Sequence, residues 1–110
     1  MKCRLDALIE LLFDDKASIT ERDEAATNLA EFSETRALNA LLSRGNNADE
    51  NELVLNSCGE SIGAIWTKQN IFDEKSYRTL SGIARYGVFV VVKSRKPQWL
   101  EQYHLEKDNF

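Results

Sequence analysis

Ser57-Cys58-Gly59-Glu60-Ser61-Ile62-Gly63-Ala64-Ile65 decides how this chain folds. Read with its flanks, it places Val54, Leu55, Cys58, Ile62, Ile65 and Trp66 on one continuous helical face, with Gly59 and Gly63 four residues apart inside the helix. An interior glycine costs a helix about 1 kcal/mol against alanine, so the pair predicts that a second backbone packs closely against this segment. The neighbouring residues are too polar for a membrane-embedded glycine pair. Asp49-x-x-Glu52 reads as the capping box that opens this helix, since a side-chain acceptor followed three residues later by Glu satisfies free amides of the first turn.

Working outward, the same helical spacing returns on both sides. Residues 3–14 carry Leu5, Leu8, Ile9, Leu11, Leu12 and Phe13 opposite Lys2, Asp6 and Glu10, which predicts a first helix. Ser18-x-x-Glu21 is a second capping box, opening a helix to about Glu31 that buries Ile19, Ala25, Ala26 and Leu29. Ser33 is placed to cap a third helix holding Ala37, Leu38, Leu41 and Leu42, stopping near Ser43 where Arg44-Gly45-Asn46-Asn47 favours a turn. Phe72-Asp73 with Tyr77 predicts a hydrophobic staple around an Asp cap, starting a fifth helix through Leu80 that Gly82 ends.

Gly87-Val88-Phe89-Val90-Val91-Val92 is apolar and β-branched, a pattern shared by buried strands and buried helices. No second strand is legible elsewhere, and a lone strand would leave its backbone groups unpaired, so a helix is expected. Lys93, Ser94, Arg95 and Lys96 suit its carbonyl end, and Pro97 suits the first turn of a short last helix. Trp99, Leu100 and Tyr103 are expected to close the core, with residues 106–110 fraying beyond them.

At 110 residues, 43% apolar and 29% charged, the chain is expected to form one domain, residues 1–110, with one core. The start shows no secretory leader and no stretch reaches the length of a membrane span, so a cytoplasmic protein is expected. Cys3 and Cys58 have neither zinc nor disulfide-framework spacing; both read as free thiols, with Cys58 in the core. The single histidine, His104, lies far in sequence from either cysteine, and no phosphate loop or metal motif occurs, so neither catalysis nor a cofactor is expected. Charge is polarised: residues 1–60 hold thirteen Asp/Glu against six Lys/Arg, and residues 61–110 hold five against eight. Such an acidic half repels nucleic acid and favours encounter with basic protein surfaces. Only Arg95-Lys96 with Trp99 and Tyr103 combines cations with aromatics as RNA contacts do, and it is too small for a binding stripe.

Apolar patterns recur at a spacing of about thirty residues, the sign of stacked helix pairs. Leu29 corresponds to Ile62 after 33 residues, and Leu38, Leu41 and Leu42 correspond to Tyr77 and Leu80. Ala37-Leu38-Asn39-Ala40-Leu41-Leu42, followed by the Ser57–Ile65 stretch, resembles HEAT-like repeats over roughly residues 20–95, although the usual Asp-Pro turn and Val-Arg helix start are absent. The resemblance implies an all-α fold: a short right-handed stack of antiparallel helix pairs, about six helices plus a short C-terminal helix. In such a stack the second helices, about 20–31, 51–66 and 84–94, line a concave partner-binding surface. On the first two, Glu21, Glu24, Asn28, Glu31, Glu52, Asn56 and Glu60 fall off the apolar stripe and are the candidate partner-binding residues.

In type, the chain also resembles the small immunity proteins of bacterial contact-dependent growth inhibition systems. That resemblance implies an inhibitor that occludes the basic active cleft of a cognate protein toxin, a nuclease acting on RNA. It would do so as a monomer in a 1:1 complex, with no direct nucleic-acid or membrane contact. A HEAT-like scaffold or adaptor without a toxin is the alternative reading.

Overall fold

The computed structural model describes residues 3–105, and among them every regular element is helical. The α-helices are α1 (Arg4–Leu12), α2 (Ile19–Asn28), α3 (Thr35–Gly45), α4 (Glu52–Gln69), α5 (Glu74–Thr79), α6 (Gly82–Arg95) and α7 (Gln98–Gln102). A 3-10 turn (Leu29–Glu31) continues α2. The expected fraying of residues 106–110 lies outside the described residues.

The local signals that start each helix are partly those expected. Ser18 accepts from the Glu21 amide while Glu21 accepts from the Ser18 amide, the complete capping box that opens α2. Asp73 accepts from the Ser76 amide to open α5, and the Phe72 and Tyr77 rings meet at 5.4 Å across it as a staple. Three expectations are corrected. Asp49 does not cap α4; Asn51 does, accepting from the Leu53 amide at 2.9 Å. Ser33 does not cap α3, which begins after Glu34 with no side-chain cap and runs on to Gly45. Gly82 does not end α5 but opens α6, because Ser81 accepts from the Ala84 amide and sets a new helix start there.

The valine-rich segment 87–92 is helical, in the middle of α6. Its backbone groups are satisfied within the helix, and Val88 and Val92 are fully buried.

α4 is the central element and packs against α2, α3, the 3-10 turn and, most extensively, α6. The α4–α6 contact is made backbone to backbone, as the glycine pair requires. A Cβ on Gly59 would lie 2.1 Å from the Ala84 carbonyl oxygen, and one on Gly87 would lie 2.8 Å from that of Asn56. Gly59 meets Ala84 while Gly63 meets Val88 and Val91, so contacts advance together and the two helices run in the same direction.

The core runs through Leu12, Leu29, Leu41, Val54, Cys58, Ile62, Trp66, Leu80 and Val88, all buried. Ile19, expected inside, is 43 % exposed: it is the first residue of α2, and the buried stripe there is Ala25, Ala26 and Leu29. At the far end Phe72 collects four rings: Trp66 at 5.0 Å, Tyr77 at 5.4 Å, Trp99 at 5.4 Å and Tyr103 at 4.7 Å. These aromatics close the core against α7.

A buried ion cluster fixes the turn before α4. The Glu50 side chain is 3 % exposed and accepts from Arg22 on α2 at 2.7 Å and from Arg44 Nε on α3 at 3.0 Å. Arg44 also lies 5.0 Å over the Phe13 ring. Burial alone would raise the Glu50 carboxyl. The hydrogen bonds from Arg22, the Asn51 amide and Arg44 outweigh it and hold the group below its ordinary value.

Candidate functional site

α2, α4 and α6 share an open groove of about 280 Å³. Thr27 and Ala30 line it from the α2 side, Ser57, Glu60, Ser61 and Ala64 from α4, and Val91 and Arg95 from α6. Ser61 donates to the Ala26 carbonyl at 2.7 Å, and Ser57 donates to the Asp23 carboxylate, so two hydroxyls of α4 hold α2 in place under the groove. A second hollow of about 200 Å³, lined by Ala30, Phe32, Ser33, Ile65, Lys68 and Gln69, flanks it.

The candidate residues divide by position. Glu60 lines the groove, and Glu24 and Glu52 are exposed on α2 and in the first turn of α4. Glu21 is exposed but serves the α2 capping box. Glu31 points to α1, where it pairs with Arg4 at 3.4 Å. Asn28 and Asn56 are half-buried, with the Asn56 carbonyl oxygen against Gly87.

Carboxylates without an ion pair among the described residues occur on α2 and α4 and also elsewhere, at Asp14, Asp15, Glu34, Asp49, Asp73 and Glu101. Asp6, Glu31, Glu50 and Glu74 each pair with arginine. Asp23, Glu24, Glu52 and Glu60 form no ion pair among the described residues. Glu24, Glu52 and Glu60 are exposed and present uncompensated negative charge on α2 and α4, while Asp23 is half-buried and accepts from Ser57. Asp23, Ser57, Thr27 and Arg95 were not among the expected contacts. Helical spacing carried the signal: 23 and 27 on α2, with 30 in the 3-10 turn that continues it, and 57, 60, 61 and 64 on α4 are small or polar stripes that skip the apolar face.

Apolar side chains also break the surface near α6. Ile83, Tyr86 and Val90 recur at three- and four-residue spacing and are exposed, Tyr86 by 51 %, and Leu53 on α4 is exposed by 63 %. Tyr86 stacks beside Phe89 with ring centres 6.3 Å apart.

The residues considered for other chemistry are occupied. Trp99 is buried and Tyr103 half-buried in the Phe72 cluster, so they are not free to stack on bases. Cys58 is fully buried, and its thiol is pushed up to about 12 by burial, with the Glu50 and Asp23 carboxylates adding to the effect. Cys3 is exposed and accepts from the Asp6 amide at the start of α1. Among the described residues no cluster of three His, Cys, Asp or Glu side chains could hold a metal ion, and no helix is long and apolar enough to cross a membrane. No protein-family model, curated protein or solved structure matches this chain.

Proposed function

We propose that this chain is a partner-binding protein whose α2–α4 face captures a cationic protein surface. The observation that carries the reading is the set of four carboxylates on the adjoining helices α2 and α4, Asp23, Glu24, Glu52 and Glu60, that form no ion pair among the described residues, with Glu60 lining the groove. Long-range attraction between such a face and a basic partner speeds capture, while affinity comes from a few desolvated anchors. Leu53 and the Ile83–Tyr86–Val90 stripe supply apolar anchors of the kind found at interface centres.

The HEAT-like reading of the fold belongs to the same proposal. Support comes from the row formed by α2, α4 and α6, from the packing of α1 on α2 and of α3 on α4, and from the contact between α1 and α3. These are the contacts that successive helix pairs make when they stack. Dimensions of 44 × 26 × 21 Å suit a short stack.

Within the partner-binding class we favour an immunity protein that blocks a toxin nuclease, its carboxylates standing in for the phosphates of RNA against the Lys and Arg of the active cleft. Purified toxin nuclease domains with basic clefts, each mixed with this protein at equal concentration and assayed for RNA cleavage, test it. Stoichiometric protection against one cognate domain is expected. Protection against none, together with stable binding to a host protein that has no nuclease activity, would favour the adaptor reading instead.

A further inference from the structure

We propose that the groove between α2, α4 and α6 takes an extended segment of the partner that carries one basic and one acidic side chain, the basic one against Glu60 and the acidic one against Arg95. The inference rests on the partner-binding reading and specifies its ligand. Glu60 and Arg95 line the same groove from facing helices. Yet they form no ion pair with each other, and neither pairs with any other described residue. Two opposite charges that share a hollow without neutralising each other offer a partner two contacts of opposite sign.

The remaining lining agrees. At about 280 Å³ the groove is just below the range of about 300–1,000 Å³ typical of small-molecule sites, and it is open along its length, so it suits side chains projecting from a strand of polypeptide. Thr27, Ala64 and Val91 provide methyl surface for the hydrocarbon stem of a Lys or Arg. Ser57, which lines the groove, donates its hydroxyl proton to the half-buried Asp23 and so ties α2 to α4 beneath it. A purely basic segment would meet Arg95 as a like charge, so the groove selects against it.

Short acetylated and amidated peptides holding one Arg and one Glu at stepped spacings, beside Arg-only and Glu-only controls, test this by amide chemical-shift titration of the full chain. At one spacing the mixed-charge peptide is expected to shift Thr27, Glu60 and Val91. It should bind about tenfold tighter than the Arg-only control, the size of one well-placed charge contact. Arg95→Glu should remove that advantage and tighten Arg-only binding, and Glu60→Gln should weaken both. If Arg-only peptides bind the acidic face and Arg95→Glu changes nothing, the inference falls while the partner-binding reading stands. If no basic peptide shifts α2 or α4 at any spacing, both fall.

Discussion

Glu50 shows how much a single side chain organises. It joins α2, α3 and the turn before α4 through Arg22 and Arg44, although Arg22 Nε is buried without an acceptor. Removing one partner of a buried ion cluster leaves the others charged and unpaired, so Glu50→Gln is expected to lower stability by about 3–5 kcal/mol in urea unfolding. The same group sets an acid limb. Its folded value lies below the unfolded one of 4.5, so the stability it contributes is present above that pH and lost as pH falls through the folded value. Glu50→Gln should flatten that loss.

Cys58 works in the opposite direction on the alkaline side. Its folded value near 12 exceeds an unfolded value of 9.0, so its contribution is complete below pH 9.0 and disappears as pH rises towards 12. A thiol reagent at neutral pH should therefore modify Cys3 in the native protein and reach Cys58 only on unfolding. Two fast-reacting thiols in the native state would contradict this placement.

A third residue-scale expectation concerns Tyr77, whose hydroxyl is buried without a hydrogen-bond partner. Tyr77→Phe should stabilise the protein by about 1 kcal/mol in thermal unfolding, since it removes an unsatisfied buried group at little cost in shape. Residue by residue, the sequence was most legible where one side chain acts on its own turn, as at Ser18, Glu21 and Asp73. It misled at Asp49, because the neighbouring Glu50 is drawn inward by arginines 28 and 6 residues away in sequence, and no local pattern carries that information.

At the scale of elements, the α4–α6 seam is the feature on which the groove depends. With the Gly59 Cβ position 2.1 Å from the Ala84 carbonyl oxygen, Gly59→Ala must push the helices apart. A loss of about 3 kcal/mol or more is expected despite the better helix propensity of alanine. Gly63→Ala, whose added carbon meets the Val91 side chain at 3.0 Å, should cost distinctly less. Equal, small effects would mean that the seam is looser than described.

Gly59 and Gly63 announced this contact by their spacing, and the partner helix was legible as the β-branched run 87–92, whose ambiguity ended only with the absence of a second strand. The Gly82 turn was misread because a glycine can either end a helix or follow a cap. Ser81, three residues before Ala84, decides for the second.

For the whole molecule, the charge asymmetry seen along the sequence leaves Asp23, Glu24, Glu52 and Glu60 without ion pairs among the described residues on the adjoining helices α2 and α4. The acidic residues of α2 and α4 were legible as an off-stripe set, but which of them stay uncompensated was not. Glu31 is claimed by Arg4 across 27 positions, and Glu21 by its own helix start. Asp23 and Arg95 joined the groove only because α2 and α6 flank α4, a juxtaposition that spacing alone does not specify.

Association kinetics at low salt with a cognate cationic partner test the central claim most directly. The triple charge reversal Glu24→Lys, Glu52→Lys and Glu60→Lys should be compared with an equal reversal at Asp15 and Glu34, in the connections before α2 and α3, and Glu101 on α7. The first set is expected to slow association by about 10–100-fold and to erase its salt dependence, while the second changes it little. Equal slowing by both sets, or by neither, would contradict an interface on the α2–α4 face.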